Sequence, residues 1–386
     1  MNKLKNDANA LKNSMIGFRM AVQIKNKDLI INFTVFICNI MESWLNISRE
    51  FSYCFYFILK AFDDIITEID HDNKKWVMYI KYEVTKCLMD IKKYNYDFKK
   101  IQLKNTGKVN MDIEFNPDDT TIFPENSYLK KILLNLDGDF RAFFYIFITN
   151  TLNCLPQKEN ISLLIMKNIT DIADLAKKYD QESFLDFIEL YVRFVLANFK
   201  KPETTKHIND IINKFKINEN EKIYISIIKC FKKLPLKIEK IDKLHNKISK
   251  YYDSIMDIEE ESHSVIFDSY KSTPQNYFVD LAYLALLSKH YNKARSILSN
   301  VKFFGYTSRT LILKKKLFEI YLDMDEYLAN PALLLLSEES IDFQLDKMKK
   351  MKELISTYEK QDGDKNFIQK AIQSMWNYMF PLLQQR

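Results

Sequence analysis

The chain has 386 residues, of which 47 % are apolar, with 28 Phe and 22 Tyr, so it has material for a large core and is not a disordered composition. Its five glycines and eight prolines are too few for the frequent tight turns of a sheet-rich fold, and the reading is of long helices joined by short polar turns. The net charge of +6 is mild for this length, with Lys alternating with Glu and Asp along most of the chain, so nucleic acid is not expected as a partner.

In chain order, the N-terminal MNKLKNDANALKN lacks the apolar core of a signal peptide. Three apolar runs follow, Leu29–Met41, Phe51–Leu59 and Phe140–Leu152. Each falls short of the ~20 residues of a spanning helix, so the chain reads as soluble, with no membrane partner. Val77, Ile80, Val84, Cys87, Leu88 and Ile91 recur at helical spacing. Lys108–Phe115 is the one stretch of period-two alternation, and residues 104–126 read as a loop or linker between a helical block at 1–103 and a second at 127–386.

Further stripes are Ile165, Ile169, Ile172, Ala173 and Ala176, then Ile208, Ile211, Ile212 and Phe215, then Leu244, Ile248, Tyr251, Tyr252 and Ile255. The last is Phe367, Ile368, Ala371, Ile372, Met375, Trp376 and Met379, with Pro381 expected to end or kink that helix. The prolines at 156, 202, 235, 274 and 331 mark helix boundaries, and the acidic stretch Asp257–Ser262 is a further loop candidate. Phe278–Ser299 goes further: Ala282 and Ala294 stand twelve apart, with Tyr291 three before the second and Leu298 four after it. Those are the small and large positions of a tetratricopeptide unit, here without its usual glycine and terminal proline. A weaker echo lies at Cys87–Ile101, with Lys93-Tyr94 followed by Asp97. The fold expected is an all-α, α-solenoid of tetratricopeptide-like antiparallel helix pairs.

Catalytic, cofactor and metal signals are not found. Gly107 and Gly138, the nearest two glycines, are too far apart for a dinucleotide fingerprint or a P-loop. His71, His207, His245, His263 and His290 form no metal-binding spacing with one another or with Cys38, Cys54, Cys87, Cys154 and Cys230. The cysteines read as small apolar core residues of a reducing compartment. Asp137-Gly138-Asp139 and Asp362-Gly363-Asp364 fail the order of a calcium loop and read as turns, with Asp364 capping the final helix. Basic runs at Lys229–Lys250, Lys314–Lys316 and Lys347–Lys352 read first as solvated helix faces, the first also suiting calmodulin or an acidic tubulin tail.

Three segments carry a resemblance: Trp44 with Arg49 and Phe51; Lys75-Trp76 with Glu83 and Cys87-Leu88; and, most specific, Trp376-Asn377-Tyr378-Met379-Phe380-Pro381-Leu382-Leu383-Gln384. Together they resemble part of the N-terminal region of the cilia- and flagella-associated protein 46 family, tetratricopeptide-containing subunits of a central-pair microtubule projection. The resemblance implies a non-enzymatic scaffold of the ciliary axoneme that serves regulation of motility. The implied partners are other central-apparatus projection subunits, with calmodulin and central-pair tubulin among the candidates, and no cofactor. Two other readings stay open: a helical-repeat adaptor in trafficking or a regulatory complex, and, from another class, an all-α enzyme or a basic all-α nucleic-acid binder.

Overall fold

A computed structural model describes residues 2–69, 73–94, 127–135, 138–155, 161–259, 273–301, 308–329, 338–360 and 365–384. Among them are sixteen α-helices and no strand, so the protein is all-α. The expected linker at 104–126 and the echo around Asp97 lie outside the described residues. The chain divides into two compact units, Met1–Phe194 and Val195–Arg386.

The first unit holds α1 (Asn2–Gln23), α2 (Lys27–Ile47), a 3-10 turn (Arg49–Phe51), α3 (Ser52–Ile69), α4 (Lys74–Tyr94), α5 (Tyr128–Leu134), α6 (Gly138–Cys154), α7 (Ile161–Tyr179) and most of α8 (Gln181–Asn198). Gly138 and Asp139, expected in a turn, instead open α6. Helices α1 and α2 pack so closely that a Cβ on Gly17 would lie 2.4 Å from Cζ of Phe33. Helix α2 corrects the expectation that its apolar run is too short to span: it continues past Glu42 to Ile47, and by length and composition alone it could cross a membrane. Ile30, Ile37, Cys38, Met41, Trp44 and Leu45 are nevertheless buried within the unit. Helix α3 packs on both α4 and α6, and α4 also packs on α7. It is accordingly buried almost all round, from Ser52 to Tyr56 without a break and again at Ile58, Leu59 and Phe62.

At the centre Trp44 is fully buried, with ring centroids 5.1 Å from Phe51, 6.0 Å from Phe55 and 5.0 Å from Phe144. Its indole N–H donates to Asp7 at 3.2 Å, so the polar edge of the ring is satisfied. Glu50 in the 3-10 turn accepts from the backbone N–H of Leu129 at 2.8 Å and from the hydroxyl of Ser127 at 2.6 Å. A carboxylate thereby caps the positive N-terminal end of α5.

The second unit holds α9 (Glu203–Phe215), α10 (Glu219–Phe231), α11 (Ile238–Glu259), α12 (Pro274–Leu287), α13 (Tyr291–Asn300), α14 (Arg309–Leu328), α15 (Glu338–Glu359) and α16 (Lys365–Gln384). Asn218 and Glu221 form a reciprocal capping box on α10, and Thr273 with Pro274 starts α12. Two expectations are corrected here. Residues 257–259 of the acidic stretch belong to α11 rather than to a loop, while 260–262 lie outside the described residues, and Pro381 does not end α16, which runs on to Gln384. A proline in the last turn removes only one helix hydrogen bond, which is why it is tolerated there. Asp364, the expected cap of α16, lies outside the described residues.

Three helix ends use lysine where glycine is usual. Lys25, Lys216 and Lys289 have φ of 53°, 49° and 62°. Each forms the paired backbone bonds of a Schellman cap: Asn26 N–H to Ala21 and Lys25 N–H to Val22, both 3.1 Å; Ile217 to Ile212 and Lys216 to Asn213; His290 to Ala285 and Lys289 to Leu286. The left-handed conformation costs a side-chain-bearing residue roughly 1–2 kcal/mol.

Candidate functional site

Helices α12 and α13 pack on each other across the segment 278–299, with Ala282, Ala294 and Leu298 all buried. The turn between them is clamped from outside. The backbone N–H of buried Leu236 donates to Ser288 Oγ at 2.9 Å, and its carbonyl accepts from Nε2 of His290 at 2.8 Å. The histidine of the motif therefore fixes a loop, holding its ring with the proton on Nε2.

From this pair outward, α10, α12, α14 and α16 are tied to one another step by step. The Tyr277 hydroxyl of α12 donates to Asn220 of α10 at 2.6 Å, and Tyr277 stacks on Tyr224. Lys314 of α14 donates to Asp280 of α12 at 2.6 Å, and Tyr283 stacks on Phe318 at 4.2 Å with rings 5° from parallel. Tyr378 of α16 donates to Asp325 of α14 at 2.6 Å, while Phe367 meets Phe318 edge-on at 5.8 Å. Each step thus combines an aromatic contact, worth about 0.5–1.5 kcal/mol beyond its area, with one shielded polar tie. Burial pushes the Asp325 carboxyl above the usual range, partly opposed by the Tyr378 hydrogen bond, and burial raises Tyr378 itself. Helices α13 and α15 are held by ions: Arg295 reaches Asp323 at 3.3 Å and also pairs with Glu326, and Lys347 pairs with Asp323 at 2.6 Å.

The segments that carried the resemblance separate. Trp44, Phe51, Cys87 and Leu88 are buried in the first unit, and Arg49 stands 4.0 Å from Asp90. Trp76 stacks on Tyr79 at 5.0 Å, and Glu83 pairs with Lys86 at 2.7 Å. The C-terminal segment does not pack as its stripe suggested: Ala371 is buried, but Ile372, Trp376 and Phe380 are 48 %, 54 % and 47 % exposed. Spaced four apart, they form an apolar ridge on the outside of α16, while Tyr378 anchors the helix.

Three of the cysteine thiols are sequestered. Burial pushes the Cys87 thiol up to about 12, opposed by its hydrogen bond from Ser52, and burial also raises Cys38 and Cys54. Thiols so shifted are poor nucleophiles. Cys154, expected in the core with the other cysteines, is exposed, because it ends α6 rather than sitting on its packed face. His207 packs on Phe199 at 4.8 Å and His245 on Phe278 at 5.5 Å, whereas His71 and His263 lie outside the described residues. Among the described residues no three His, Cys, Asp or Glu side chains gather where a metal ion could sit. A void of about 10 Å³ among Leu313, Leu317, Leu354, Tyr358 and Phe367 is apolar and no larger than a single water molecule would need.

The basic runs also differ. Lys314 is paired with Asp280, Lys315 stands 3.7 Å from Glu319, Lys347 pairs with Asp323 and Lys350 with Asp346. No signature in the spacing of these lysines distinguished them from those of Lys229–Lys250, which among the described residues are largely without acidic partners. The fold defines an all-α protein in whose second unit, from α10 onward, helices pack on the next or next-but-one helix. No protein family, curated protein or solved structure matches the chain.

Proposed function

We propose that the protein is a non-enzymatic scaffold whose stacked helices, in the manner of tetratricopeptide-like pairs, offer outer ridges to other proteins. The supporting observation is the tie repeated from α10 to α12, α14 and α16, which leaves Ile372, Trp376 and Phe380 outside. One helix pair cannot bury its own apolar face, and stacking gives both a continuous core and an extended surface. Exposed aromatic anchors of this kind are the residues that dominate protein–protein interfaces.

The cellular setting follows from the resemblance of Trp44–Phe51, Lys75–Leu88 and Trp376–Gln384 to the cilia- and flagella-associated protein 46 family. In that reading the chain works in the cytoplasm as part of a central-pair projection of the axoneme, among other projection subunits and beside calmodulin and central-pair tubulin. The test is extraction of cilia with detergent followed by sedimentation of axonemes. Retention of the tagged protein with axonemal tubulin is the expected result. Release into the detergent fraction, or expression in cells that never build cilia, overturns the axonemal setting and favours an adaptor elsewhere.

A further inference from the structure

The positive charge of the chain is concentrated in one place. Residues 222–250 contain nine lysines against two acids, Glu239 and Asp242. That excess of seven is larger than the net +6 of the whole chain, so the remainder is close to neutral.

The α10–α11 pair brings six of these lysines into one strip. Lys222, Lys229 and Lys233 recur at intervals of seven and four along α10 and the turn after it. Lys240, Lys243 and Lys247 recur at three and four along α11. Two sets of contacts fix how the rows meet. At one end Glu219 accepts from Lys222 at 2.8 Å and lies 3.7 Å from Lys247. At the other, Lys229 lies within the field of Lys233 and Lys240. From the first pair to the second, numbering rises by seven on α10 and falls by seven on α11, as antiparallel packing requires.

The strip is short of countercharge. Glu219 is shared by two lysines, Asp242 is engaged by Lys293 at 2.7 Å, and Glu239 is exposed. Among the described residues, Lys229, Lys233, Lys240 and Lys243 have no ion pair. Lys229 is the most compromised: burial lowers its pKa, and its two cationic neighbours add to the effect.

We propose that this lysine strip between α10 and α11 is a docking track for a carboxylate-rich protein segment, an extended run of Glu or Asp residues. Charge complementarity supplies the attraction. The eleven residue steps from Lys222 to Lys233 rise ~16 Å, the span of about five extended residues, so one short acidic run can meet both rows. A phosphate polymer fits less well. No arginine occurs from residue 194 to residue 294, so the strip lacks the planar fork that grips phosphate from two sides. It also lacks a stacking platform, since Tyr224 and Phe231 of α10 pack on Tyr277 and Tyr283. The proposal needs only the strip and is independent of the ciliary setting.

The test is fluorescence anisotropy of a labelled oligoglutamate peptide titrated with the full chain. Binding is expected to weaken as salt rises from about 0.05 to about 0.2 M, because solvent-exposed charges are screened. Lys229→Glu with Lys240→Glu should reduce affinity about tenfold or more, whereas the exposed pair Lys349→Glu with Lys352→Glu should change it less than about twofold. Lys229→Gln with Lys240→Gln separates binding from folding: it removes like-charge repulsion, so its melting midpoint should not fall while affinity does. Absence of peptide binding overturns the proposal, as does an equal loss in the control pair. A single-stranded oligonucleotide bound more tightly than the peptide, through the same lysines, also contradicts it.

Discussion

The two units bury their aromatic residues by different routes. In the first, α3 meets α6 and α4 meets α7, so contacts leap across the segment between α4 and α5. Trp44, Phe51, Phe55 and Phe144 converge from α2, the 3-10 turn, α3 and α6 into one cluster. In the second, from α10 onward, helices pack on the next or next-but-one helix, and rings meet in successive pairs, Tyr224 with Tyr277, Tyr283 with Phe318, Phe318 with Phe367. A converging core makes each member depend on the others. A stepwise stack makes stability a sum of local terms.

Substitutions at matched positions sharpen this contrast. Trp44→Ala should be the most damaging, costing about 3–5 kcal/mol, because the cavity opens under four elements. Its denaturation midpoint, read by hydrogen exchange, should fall throughout the first unit. Tyr283→Ala removes the 4.2 Å stack on Phe318 and should cost about 2 kcal/mol, with loss of protection confined to α12, α14 and their immediate neighbours.

Tyr378→Phe leaves the half-buried Asp325 carboxylate without its 2.6 Å donor and should cost about 1–2 kcal/mol near neutral pH. The sign of its pH dependence follows from the raised pKa of Asp325. The folded state holds the proton more tightly than the unfolded chain, so ionisation of Asp325 costs stability above its folded pKa, and acidification recovers it. The deficit of the variant, measured by chemical denaturation, should therefore narrow as pH falls from about 7 toward the ordinary Asp range near 4. Lys289→Gly is the smallest effect and has the opposite direction. It relieves a φ of 62° at a Schellman cap and should raise stability by about 0.5–1 kcal/mol.

That last prediction bears on what the residues alone disclosed. Helical periodicity was readable because it is local: Val77 to Ile91 and Ile165 to Ala176 are buried where their spacing required. The prolines at 202, 235 and 274 fall at helix boundaries, since a fixed φ and a missing N–H act on the nearest residues. The αL caps were hidden because lysine occupies them, and only the surrounding hydrogen bonds reveal a strained φ. Pro381 shows the converse, a breaker tolerated in a last turn. Exposure of Trp376 was equally unreadable, since a stripe reports periodicity and not whether a neighbour covers it. The lysine strip needed the register of α10 on α11, which Glu219 discloses through its two partners.

Native-state hydrogen exchange across the full chain tests the central claim, that the second unit is a stepwise stack on which a scaffold can be built. The account predicts opening free energies that are graded along α10, α12, α14 and α16, lowest in α16 at the end of the stack, with the first unit opening as one body. A single common opening energy from α10 to α16 would contradict it.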